Sequence, residues 1–141
     1  MGLRRKGRVI AFQALYFWDV THPDLEDLLR FDWLEDADPS NEGGEQSRTF
    51  ARLILSGVLE NIDSVDEAIR RQLEHWDFSR LSWVDRAILR LSTYELLFVR
   101  DLPPSVTIDE AIGIAKQFGA DDSFRFINGV LDAVKRERSE A

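Results

Sequence analysis

The sequence predicts an all-α protein, a bundle of six or seven helices. Three observations carry this reading: nearly every apolar run recurs at helical spacing, no stretch alternates with the period of a strand over a useful length, and hydroxyl and acidic residues stand where helices begin. The chain has 141 residues, 44% hydrophobic and 31% charged. That is the size and balance of one soluble domain over 1–141, too apolar for intrinsic disorder and too interrupted by charge for a membrane span.

The first helix is expected from Leu3 to Asp19, stopping before His22-Pro23, and a short second one holds Leu25, Leu28 and Leu29 and can extend to Leu34. Asp38-Pro39-Ser40-Asn41-Glu42-Gly43-Gly44 reads as an exposed loop inside an acidic segment, 35–46, that contains no base. From Ser47 one apolar stripe runs through Phe50, Leu53, Ile54, Gly57, Val58, Ile62, Val65, Ile69 and Leu73 to Trp76. Ser64 with Glu67 predicts a break near 61–64. Ser82 with Asp85 opens a central helix carrying Val84, Ala87, Ile88, Leu91, Tyr94, Glu95 and Phe98, which Pro103-Pro104 ends. Thr107-Ile108-Asp109-Glu110 has the pattern of a capping box, and Gly119 stands where a left-handed cap is expected. The last helix starts near Asp121 or Asp122 and buries Phe124, Ile127, Val130, Leu131 and Val134.

Charge is distributed unevenly. Arg4, Arg5, Lys6 and Arg8 give the basic arm, residues 1–8, four positive charges and no acid, while the whole chain sums to −8. A basic arm on an acidic body attracts phosphate at one place only. Guanidinium forks match phosphate oxygens, so the four cations are expected to clamp a nucleic-acid backbone; a solvated, frayed terminus is the plainer alternative. Gln13 interrupts the following run and its end, Tyr16-Phe17-Trp18, is bulky and aromatic, so a cleaved signal peptide is not expected.

Features of an enzyme are sparse. Cysteine is absent, His22 and His75 have no partner at metal-ligand spacing, and Gly43-Gly44 lies among acids that repel phosphate. No catalytic residue, metal or cofactor is expected. Glu95, on an apolar stripe, reads as a buried acceptor for neighbouring backbone amides. Phe126 is turned about 100° from the buried Ile127 around the last helix. It is therefore expected either to offer a stacking platform to a base, with Arg125 and Gln13 beside it, or to pack at the edge of the core.

The order of these blocks is specific. Arg4-Arg5-Lys6-Gly7-Arg8 with Ala11-Phe12-Gln13-Ala14-Leu15-Tyr16, then Asp85-Arg86-Ala87-Ile88-Leu89-Arg90-Leu91 and Tyr94-Glu95-Leu96, then Asp109-Glu110-Ala111-Ile112, Ala115-Lys116 and Phe118-Gly119, then Asp122-Ser123 and Phe126-Ile127-Asn128-Gly129-Val130-Leu131-Asp132, together resemble the bacterial antitermination factor family NusB over essentially the whole chain. The resemblance implies two three-helix subdomains, no enzymatic activity and a cytoplasmic role in transcription of rRNA operons. It implies binding of boxA RNA with the ribosomal protein NusE, within the transcription elongation complex, by a monomer or homodimer.

Asp85 and Asp122 are the expected contacts for NusE, since ribosomal proteins are usually basic and this body is acidic; helix-start stabilisation explains both residues equally well. Gly7 departs from the resemblance, at about 1 kcal/mol of helix propensity relative to alanine. It predicts an arm that orders only on RNA. A NusB-like domain also opens certain rRNA cytosine methyltransferases, which a chain of this length without cysteine is expected not to be. The rival reading is a helical protein–protein adaptor that binds no RNA.

Overall fold

In the computed structural model, which describes residues 2–34 and 44–140, α1 runs from Leu3 to Thr21. Ile10, Ala11, Ala14 and Leu15 form one buried face, and small residues within it let neighbouring helices approach closely. The helix ends where His22 turns left-handed, at φ 49°, and returns its N–H to the Trp18 carbonyl at 2.8 Å; Pro23 blocks any continuation. α2, Leu25–Arg30, stops short of Leu34 because Phe31 turns left-handed at φ 60°; it buries Leu28, and the guanidinium of Arg52 on α3, Gly44–Glu60, donates to the Leu29 carbonyl at 3.0 Å. Residues 35–43 of the expected acidic loop lie outside the described residues, while the rest of that segment opens α3.

The break after α3 falls within the expected interval but by another device. Asn61 donates its side-chain amide to the Gly57 carbonyl at 2.8 Å, competing with the helical ladder, and α4, Ile62–Arg70, starts directly after it. Ser64 lies inside that helix. α4 ends at Arg70, so the stripe does not carry Trp76 into the core: its side chain is 60% exposed. A 3-10 turn over Phe78–Arg80 follows, capped by the Asp77 carboxylate accepting from the Ser79 N–H.

α5, Trp83–Phe98, begins as the sequence predicts, with Ser82 Oγ accepting from the Asp85 N–H at 3.0 Å. It is the centre of the fold, packed by α1, α3, α4, α6 and α7, and Ile88, Leu89, Leu91 and Leu96 are almost wholly buried. Each such side chain contributes roughly 1.5–3 kcal/mol. α6, Pro104–Phe118, corrects the expected capping box. Pro104 opens the helix, because a first-turn proline loses no hydrogen bond and has its φ already set; Thr107 therefore sits inside the helix, buried, its hydroxyl without a partner among the described residues. Gly119 ends α6 in extended backbone, not in the left-handed region. α7, Ser123–Glu140, packs on α5 and α6 through Ile127, Leu131 and Val134.

Two glycines fix how helices cross. A Cβ on Gly7 would stand 2.6 Å from Phe50 Cδ1 and 2.9 Å from the Ser47 carbonyl oxygen, and one on Gly57 would stand 2.1 Å from the Tyr94 hydroxyl. Gly7 is thus the contact point of α1 on α3. The expectation of an arm left loose by Gly7 is corrected: Leu3 onward is helical, and Ser47 Oγ donates to the Leu3 carbonyl at 3.2 Å.

Candidate nucleic-acid interface

The four arm cations do not share one environment. Arg4 and Arg5 are exposed on the first turn of α1 and Lys6 is half-buried. Arg8 is 4% exposed, and its guanidinium forks onto Glu95 of α5, with Nε to Oε1 and Nη2 to Oε2 both at 3.0 Å. The same guanidinium lies over the Phe50 ring, 5.5 Å from its centroid. Arg8, expected as a free cation of the arm, is therefore nearly buried and held by an acid. Its spacing from Arg4 puts both on one side of α1, but that side turns inward as α1 meets α3 and α5. Glu95 is buried as expected, though the group it accepts is this guanidinium rather than neighbouring amides.

Arg5 also has an acid partner. Its Nε and Nη2 donate to the two oxygens of Glu110 on α6 at 3.0 and 3.2 Å. Hydrogen bonding to Glu110, followed by the carboxylate's charge, raises the Arg5 guanidinium above its ordinary value. Arg4 and Lys6 have no carboxylate partner among the described residues. Gly2, Leu3, Arg4, Arg5, Arg8 and Glu110 border an open depression of about 560 Å³, so the ion-paired Arg8 forms part of its wall.

The second feature is a cleft of about 480 Å³ between the start of α5 and the start of α7. Phe126 is half-buried on one wall, and Trp76 stands against it with ring centroids 6.2 Å apart and planes inclined at 60°. Asp85, Asp121 and Asp122 supply acidic rim, Arg80 a single guanidinium. Ser82, not Asp85, caps α5, and Oδ1 of Asp85 is buried with no hydrogen-bond partner among the described residues.

Phe126 does not lie beside the basic arm. The arm reaches α5 at Glu95, whereas the cleft reaches it at Asp85, ten residues and about 15 Å earlier along the helix. The two hollows have no lining residue in common. Phe126 instead joins Asp85 and Asp122, so residues expected to serve RNA and NusE separately surround one cleft. Arg125 is exposed, with its guanidinium over the Phe124 ring at 5.5 Å, and Gln13 is half-buried on α1, outside both hollows.

Sequence reasoning missed Trp76, Glu110 and the exposed pair Tyr16 and Trp83, whose rings stand 6.3 Å apart across α1 and α5. A signal existed for Trp76, which sits between His75 and Asp77 in a polar setting unlike core. Glu110 was concealed by the false capping box.

Among the described residues, the helical bundle thus carries cations without a carboxylate partner toward one end of its central helix and an aromatic, acid-rimmed cleft toward the other. The NusB family model matches residues 5–136. The chain belongs to the NusB family. It is 50% identical over 133 residues to the transcription antitermination protein NusB of Treponema pallidum (strain Nichols), covering 94% of this chain and 92% of that protein. Among solved structures, T. maritima NusB matches with a TM-score of 0.82 and 41% identity over 98% of this chain and 97% of that one. A NusB chain solved with NusE and double-stranded RNA matches with a TM-score of 0.84 and 25% identity over 97% of this chain and 98% of that one.

Proposed function

We propose that this chain is a cytoplasmic transcription antitermination factor that binds boxA RNA of rRNA operons together with NusE, supporting processive rRNA transcription as part of the elongation complex. The observation that carries the reading is the cleft: the half-buried Phe126 and the exposed Trp76 offer ring faces to a base within a hollow large enough to take one. Arg4, Arg5 and Lys6 then hold the phosphate backbone toward the other end of α5. NusE approaches the rim at Asp85 and Asp122, where complementary charge speeds encounter more than it deepens affinity. The solved assembly of a family member with NusE and RNA supports both partners.

The test is fluorescence anisotropy of a labelled boxA oligonucleotide, with and without NusE. Phe126→Ala and Trp76→Ala are each expected to cost roughly 1–3 kcal/mol of RNA affinity with an unchanged salt slope, because stacking releases no counterions. A large drop in unfolding midpoint with RNA affinity intact would identify Phe126 as core alone. Replacing both Asp85 and Asp122 by Asn removes charge at nearly constant shape. It is expected to slow NusE association and flatten its salt dependence, and unaltered kinetics across a salt series would remove these residues from the docking surface.

A further inference from the structure

Glu110 was expected to cap its own helix. It reaches instead across to α1 and occupies the Nε and Nη2 edge of Arg5, one of the two edges through which a guanidinium grips phosphate in bidentate fashion. We propose that Glu110 is a built-in competitor for RNA phosphate at Arg5: its carboxylate holds the guanidinium in the free protein, and a phosphate binds there by displacing it. The inference rests on the RNA-binding reading above.

The two arm arginines make the contrast plain. The Arg8 and Glu95 side chains are 5% and 3% exposed, so nothing from solvent enters between them. Arg5 is 53% exposed while Glu110 is 19% exposed, which leaves the cation facing the open depression and the acid held behind it on α6. Exposed ion pairs are weak and exchange readily, unlike buried ones. Glu110 is also the one acid among the residues that line this depression. An incoming phosphate therefore meets Arg4 without competition and Arg5 only against Glu110. An RNA gripped by the arm alone gains little there, whereas one already anchored in the cleft brings its phosphate to Arg5 at high effective concentration. Glu110 thus acts as a specificity-determining residue that weakens indiscriminate phosphate binding.

The experiment compares a boxA oligonucleotide with an unrelated single-stranded RNA of equal length, measuring affinity for wild type, Glu110→Gln, Arg5→Ala and the double variant. Removing the competitor is expected to tighten both RNAs about two- to fivefold, the range in which exposed ion pairs act, with the larger factor for the unrelated RNA. In the Arg5→Ala background the same substitution is expected to change nothing, and Glu110→Ala is expected to reproduce the ordering. Unfolding midpoints are expected to stay close to wild type throughout, since Arg5 is exposed and the pair is open to water on that side. Unchanged or weaker binding by Glu110→Gln overturns the proposal, as does a gain that survives in Arg5→Ala, which would reduce Glu110 to simple repulsion. A wild-type chain that binds neither RNA removes the RNA-binding reading itself.

Discussion

Arg8 of α1 and Glu95 of α5, 87 residues apart in sequence, lock together inside the core as a forked ion pair with both side chains at most 5% exposed. The pair fixes the height of α1 against α5 and takes one cation out of the basic arm. Removing one partner strands the other in a medium that cannot solvate it, so Glu95→Gln is expected to cost about 3–5 kcal/mol. Substituting both, Arg8→Met with Glu95→Leu, is expected to recover most of that loss, because desolvation of the two charges disappears along with their attraction. Urea denaturation at unchanged slope checks both; a loss below about 1 kcal/mol for the single change would contradict the buried geometry.

The salt dependence of RNA binding should report three arm contacts rather than four. Each single-strand phosphate neutralised contributes about 0.7 to the slope, so Arg4, Arg5 and Lys6 give roughly −2, whereas a full set with Arg8 would give about −3. Titrations across a salt series measure this directly. A slope near −3 would return Arg8 to the phosphate contacts.

Thr107 carries a buried hydroxyl with no partner among the described residues, 1% exposed on the inner face of α6. Valine has nearly the same shape without the polar atom. Since an unsatisfied buried polar group costs on the order of 1–3 kcal/mol, Thr107→Val is expected to stabilise the fold, raising the denaturation midpoint by an amount within that range. A lower midpoint would mean that the hydroxyl has found an acceptor.

Tyr94 lies over Gly57 and stacks on Phe98 with ring centroids 5.4 Å apart. Burial first, then the charges of Glu60 and Glu95, raise its phenol above the ordinary tyrosine value. Below that ordinary value, near pH 10, the phenol is protonated in folded and unfolded chains alike and its contribution is fully present. Above it the unfolded chain releases the proton first, so stability falls as pH rises toward and through the folded value. Tyr94→Phe is expected to lessen that alkaline decline, measured as denaturation free energy against pH, and an identical decline in the variant would assign it to other groups.

How much of this was legible in the sequence depended on whether a signal was local. The apolar stripe of α5 and the Ser82 cap belong to a single helix and could be read from spacing alone. The fate of Arg8 could not, because its partner is 87 residues away and only the packing of α1 on α5 turns that flank inward. Glu110 failed for a similar reason, with a convincing local motif overridden by Pro104 starting the helix three residues before Thr107. Phe126 was recognised as angled away from the core, but its companion was assigned wrongly: the placement of Trp76 follows from where α4 stops, which its apolar periodicity did not mark.

The separation of arm and cleft along α5 makes that helix a ruler. Its rigid backbone keeps the end proposed for phosphate and the end proposed for a base about 15 Å apart along the axis. On the proposed reading a single nucleotide fills one end or the other, never both, and strand length is expected to govern affinity. Affinity for oligonucleotides should then rise in a step once the strand reaches from Phe126 to Arg4, and strands shorter than the gap should compete with one another for whichever end they fit.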